Sequence, residues 1–120
     1  MPDHVHLLLT PAQDVTIERA VQLIKGGYSH ALSTLIGRKS EIWQRGFTDH
    51  RIRDVQDFIH HRNYIHQNPV IARLAATRSG YRYCSAFPGF RLDLWRPAAK
   101  AGVVADHIGT SGTRALPATT

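Results

Sequence analysis

Residues 4–10 read HVHLLLT, and Pro11 follows. A short apolar run closed by Thr10-Pro11 is a buried strand. Side chains alternate along a strand, so His4, His6 and Leu8 share one face while Val5, Leu7 and Leu9 share the other. Two imidazoles on one face can both reach one divalent cation. The competing reading is a pair of ordinary histidines at the solvent end of a strand. The three leucines weigh against it, because an unpaired imidazole is costly to bury in such surroundings.

Working outward, residues 15–36 read as a helix. Ile17, Val21, Ile24, Tyr28, Ala31, Leu32 and Leu35 recur at three- and four-residue spacing. Asp14 or Thr16 caps its start, and Gly37 closes it. Gly26-Gly27 in its middle weakens it, each glycine costing up to ~1 kcal/mol against alanine, and suggests a kink or a close approach of ligand backbone. Residues 41–53, with Trp43 and Phe47, read as a strand or irregular strand bulged at Gly46. Residues 54–67 read as a second helix capped by Asp54. Asn68-Pro69 is expected to stop it, since the residue before proline avoids the helical region. A short third helix then follows, with Asn68 as cap and Pro69 at its first position. Residues 81–90 read as a surface segment packed by aromatics. Later residues show little periodicity and many small side chains, so the expectation is one α+β domain over 1–90 and a disordered tail over 91–120. A strand as apolar as VHLLL needs neighbours on both sides. Few are available here, so missing strands are expected upstream of Met1 or from a second copy.

Composition narrows the function. The 120 residues carry 15 Lys+Arg against 9 Asp+Glu, a formal net charge of +6 and a pI near 10.1. That balance favours a polyanion, and nucleic acid is the first candidate. Cys84 is the single cysteine. It excludes an intramolecular disulfide and a multi-cysteine zinc centre, so any metal must be held by His, Asp, Glu, Asn or Gln. No apolar run approaches the roughly 18 residues of a membrane span, and no signal-peptide pattern opens the chain. The expectation is a soluble, cytoplasmic protein with no membrane partner.

The second helix holds the other informative side chain. At about 100° per residue, Val55, Phe58, Ile59 and Ile65 cluster on one side, with Arg62 among them. Tyr64 points away from that stripe. Asp57, His61 and Asn68 lie near Tyr64, and His60 flanks it. Tyr64 is therefore either a surface tyrosine covering its neighbours or a phenol offered to a polar site. Asn68 is similarly double: cap of the next helix, or part of that site. A phenol ionises near pH ~10 and is a weak nucleophile at neutrality. It becomes useful when the electrophile is a phosphate polarised by a nearby metal. A histidine pair with one amide or carboxylate leaves positions open for phosphate oxygens, which suggests phosphodiester transfer through a covalent phosphotyrosine.

The stretch PDHVHLLL resembles the histidine–hydrophobic–histidine motif of the single-tyrosine HUH transposases. IKGGYSHAL, then IWQRGFTDHRIRD, then YIHQNPV, in that order, resemble the REP-associated tyrosine transposases within the IS200-like group. The resemblance covers about residues 1–90. It implies a ferredoxin-like HUH-endonuclease fold, an antiparallel sheet with helices on its faces, here lacking its N-terminal strand–helix–strand portion. It implies that His4 and His6 bind Mg²⁺ or Mn²⁺, with Asn68 as a third ligand. It implies that Tyr64 attacks a DNA phosphate to leave a 5′-phosphotyrosine and a free 3′-OH. The implied partner is single-stranded DNA beside palindromic hairpins, bound by a monomer or a homodimer. Lys25, Arg45, Arg51 and Arg53 become candidate phosphate contacts. Trp43, Phe47 and Tyr28 are candidates for base stacking, with core packing the favoured alternative. The departure from the family is that the chain begins on the motif itself. Met1 is then either a miscalled start or the beginning of a truncated remnant, and a remnant that only binds nucleic acid is the alternative function.

Overall fold

The structure is a computed structural model that describes residues 1–39, 41–93 and 103–109, the last as backbone. Its elements are β1 (His4–Leu9), α1 (Ile17–Ile36), β2 (Thr48–Arg51), α2 (Val55–Ile71), a 3₁₀ turn (Arg78–Gly80) and β3 (Val103–Gly109). Among the described residues, no helix is long and apolar enough to cross a membrane.

α1 begins where Thr16 accepts a hydrogen bond from the Arg19 N–H at 3.1 Å. It ends at Gly37, whose φ of 71° is the left-handed conformation that glycine adopts without strain. It runs through Gly26-Gly27 without interruption. Its Val21, 2% exposed, is the centre of the small core, packed by Leu7, Leu9, Ile17, Trp43 and Phe47. Trp43 and Phe47 thus take the core role, and the expected strand over 41–53 contracts to Thr48–Arg51.

α2 departs from expectation at its far end. It continues through Asn68-Pro69 to Ile71, and the expected third helix is replaced by the short 3₁₀ turn. The buried Pro69 has no N–H to give the Ile65 carbonyl four residues back, the usual reason a proline ends a helix. Here the Cys84 thiol donates to that carbonyl, at 3.9 Å. A replacement donor and a buried ring let the helix pass. Asn68 is therefore inside the helix, and the capping role falls away.

The sheet has the order β1-β3-β2, with both pairs antiparallel. This corrects the expectation of a disordered tail: Val103–Gly109 forms the central strand. β1 thereby gains a neighbour from downstream in the same chain. The remainder of the expected tail, over 94–102 and 110–120, lies outside the described residues. The β1–β3 register slips between Val5 and Leu7: Val5 faces Ile108 but Leu7 faces Ala105. Two residues of β3 thus stand opposite His6, a bulge of the kind common beside functional sites.

Alternation along β1 then sets the layers. Leu7 and Leu9 turn toward Val21 of α1. His6 turns the other way and meets Tyr64 of α2. The two helices lie on opposite faces of β1.

Candidate active site on the polar face of the first strand

His4 is buried, 9% exposed, and His6 is half-buried beside it. Their rings meet edge-on with centroids 4.7 Å apart. His4 Nδ1 lies 2.6 Å from Asp3 Oδ1. With that nitrogen donating to the carboxylate, the ring's lone pair resides on Nε2. A carboxylate behind an imidazole in this way fixes ring orientation and raises its basicity toward a cation. Asp3 was not singled out from the sequence, although its position next to His4 was the available signal.

Tyr64 stands against His6 edge-on, centroid to centroid 5.5 Å. Asn68 is one helical turn further on the same face of α2. Its buried Nδ2 has no hydrogen-bond partner. A buried amide nitrogen without an acceptor is costly. Rotating the amide places Oδ1 there instead, and an oxygen without a donor is what a cation ligand requires. The donor set of two imidazoles and one amide oxygen, with a carboxylate behind one ring, fits a divalent cation and leaves coordination positions open.

A second cluster lies closer to the start of α2. Asp57 Oδ2 is 3.0 Å from His50 Nε2, and Oδ1 is 3.1 Å from His61 Nδ1. The His50 and His61 rings stack with centroids 4.5 Å apart. The Arg53 N–H also donates to Asp57 Oδ2, at 3.0 Å. The hydrogen bond to His50, then that from Arg53, hold the Asp57 carboxyl below the usual carboxylate range. Sequence reasoning placed Asp57 and His61 near Tyr64 but missed His50. Nothing ties His50 to them until β2 packs beside α2.

The basic residues divide. Lys25 Nζ donates to the backbone carbonyls of Gln44 (2.9 Å) and Gly46 (2.8 Å), while the Trp43 indole donates to the Lys25 carbonyl. Burial pushes the Lys25 ammonium below its ordinary value. Lys25 thus holds the 44–46 loop, on which Arg45 is exposed. Arg51 on β2 and Arg53 just after it are exposed as well. Tyr28, 52% exposed, meets Trp43 edge-on at 5.5 Å.

His4, His6 and Tyr64 thus come together where β1 meets α2, with the buried Asn68 amide one turn further along that helix. The chain belongs to the IS200-like transposase family, whose model matches residues 1–68. It is 35% identical over 80 residues to a protein of Haemophilus influenzae and 38% identical over 71 residues to one of Escherichia coli K12, both bearing the name REP-associated tyrosine transposase. Each alignment covers 58% of this chain, and 46% and 40% of the respective relative. The chain thus corresponds to less than half the length of either. No solved structure matches it.

Proposed function

We propose that this chain carries the catalytic part of a transposase that cleaves and rejoins single-stranded DNA beside palindromic hairpins. The observation that carries the reading is the meeting of Tyr64 with His6, from helix and strand, on the face of β1 turned away from the core. Family membership supplies the reaction class. Tyr64 Oη attacks a backbone phosphorus, the P–O3′ bond breaks, and the tyrosyl proton leaves as the 3′ oxygen gains one. The products are a 5′-phosphotyrosine and a free 3′-OH. One phosphodiester replaces another, so the bond energy is conserved for rejoining. His4, His6 and Asn68 would hold Mg²⁺ or Mn²⁺, which supplies Lewis-acid polarisation of the phosphate when bound. Asp3 keeps His4 in the ligating tautomer. Arg45, Arg51 and Arg53 offer cations to the DNA backbone, and Lys25 sets the loop that presents Arg45. The full sheet is proposed to be the ferredoxin-like one, and the place of action the cytoplasm.

The test is incubation with Mn²⁺ and a labelled hairpin oligonucleotide, followed by a denaturing gel. A protein–DNA adduct that disappears in Tyr64→Phe is expected. Hairpin binding with no adduct in the unmutated chain overturns the catalytic reading in favour of a remnant that only binds nucleic acid.

A further inference from the structure

We propose that His50, Asp57 and His61 form a second cation site that takes a divalent transition metal of the zinc type and clips β2 to the first turns of α2. Among the described residues, this is the one group of three His, Cys, Asp or Glu side chains whose ligand atoms all lie within 4.8 Å of one another. His50 Nε2 is 3.0 Å from Asp57 Oδ2 and His61 Nδ1 is 3.1 Å from Oδ1, so each imidazole faces its own carboxylate oxygen. His61 Nδ1 also lies 2.9 Å from the Asp57 backbone carbonyl, a hydrogen bond that a bound cation replaces. Asp57 and His61 are four residues apart on one helix face, and His50 arrives from the neighbouring strand.

The donors select the metal. Two imidazoles and one carboxylate suit Zn²⁺, Co²⁺ or Ni²⁺ better than Mg²⁺, which prefers oxygen ligands and keeps its water. The Arg53 N–H donates to the same Oδ2 that faces His50 and holds the carboxylate in place. The His50 side chain is 40% exposed, which gives the cation an entry path and a solvent-facing coordination position.

Position assigns the role. Asp57, His61, Tyr64 and Asn68 follow one another at intervals of four, three and four, a single stripe along α2. The midpoint of the first pair and that of the second are about seven residues apart, on the order of 10 Å along the axis. Paired catalytic metals sit about 4 Å apart. The second cation therefore does not share the phosphate with the first. It fixes the root of the helix that carries Tyr64.

The full chain is dialysed against Zn²⁺ at neutral pH and its bound metal counted, with Co²⁺ as the spectroscopic probe. The chain with His4→Ala/His6→Ala is expected to keep one equivalent of Zn²⁺ and a visible Co²⁺ spectrum. The chain with His50→Ala/His61→Ala is expected to bind one equivalent fewer than the unmutated protein. Zn²⁺ raises the melting temperature of the His4→Ala/His6→Ala chain, but not once His50→Gln, whose amide keeps a hydrogen bond to Asp57, is added to it. A His4/His6 variant that binds no Zn²⁺, or a His50/His61 variant with unchanged stoichiometry, overturns the proposal. Should the variants not fold, Co²⁺-induced shifts of imidazole resonances in the unmutated chain decide: shifts at His50 and His61 support it, and shifts confined to His4 and His6 overturn it. None of these readouts depends on DNA cleavage, so the proposal stands or falls apart from the transposase reading.

Discussion

Two histidine clusters lie along one face of α2, and they use their carboxylates in opposite ways. In the cluster on β1, Asp3 stands behind His4 and bonds its Nδ1, while α2 supplies a phenol and a buried amide. In the cluster on β2, Asp57 stands between the two imidazoles and touches both. A carboxylate behind a ligand orients it and leaves the metal open for substrate. A carboxylate between two imidazoles becomes a ligand itself and ties the two elements together. The first arrangement suits chemistry and the second suits a fastening.

That contrast can be broken by experiment. The largest expected effect is that of Tyr64→Phe, which removes the phenolic oxygen without changing ring packing. Adduct formation should fall by a factor on the order of 10⁴ or more, with hairpin binding little changed in a mobility-shift assay. Next comes the comparison of His6→Ala with His50→Ala. The former is expected to lower adduct yield by at least about 100-fold and the latter by no more than about tenfold. Equal losses would mean that both clusters serve the reaction. Asp3→Asn keeps the shape but weakens the charge behind His4. It should cost roughly tenfold in Mn²⁺ affinity, read as the Mn²⁺ dependence of adduct formation.

Smaller effects concern the helix that joins the two clusters. Asp54 Oδ1 accepts from the Asp57 N–H at 2.8 Å, capping α2. Asp54→Ala should lower stability by about 1 kcal/mol, measured by urea denaturation. The smallest effect is a pH dependence from His66, whose ring bonds Ser85 at 3.0 Å. Burial, and then the charges of Arg62 and Arg78, push His66 below its ordinary value. As pH falls through the unfolded value of about 6.5, the unfolded chain takes up a proton that the folded chain resists, so stability declines. In His66→Gln, the drop in the urea midpoint between neutral and mildly acidic pH should shrink.

Local sequence carried much of the first site. The alternation of HVHLLLT put His4 and His6 on one face, and helical spacing put Tyr64 and Asn68 together, because both periodicities follow from backbone geometry alone. The half-set Asp57 and His61 was legible for the same reason. Three features were not. Pro69 reads as a helix stop unless one knows that Cys84, fifteen residues on, donates to the carbonyl the proline leaves unpaired. Val103–Gly109, within a stretch of small residues, reads as tail because its strand character comes from being held between β1 and β2. His50 carries no mark in the sequence, since its partner is on another element.

By itself, then, the sequence determined which side chains share a face of a strand or helix, and with them the histidine pair and the tyrosine. Only the tertiary structure decided which faces meet: Leu7 and Leu9 against α1, His6 against Tyr64, and His50 against Asp57 and His61. Periodicity is a property of neighbouring residues, whereas these meetings depend on packing between elements far apart in the chain.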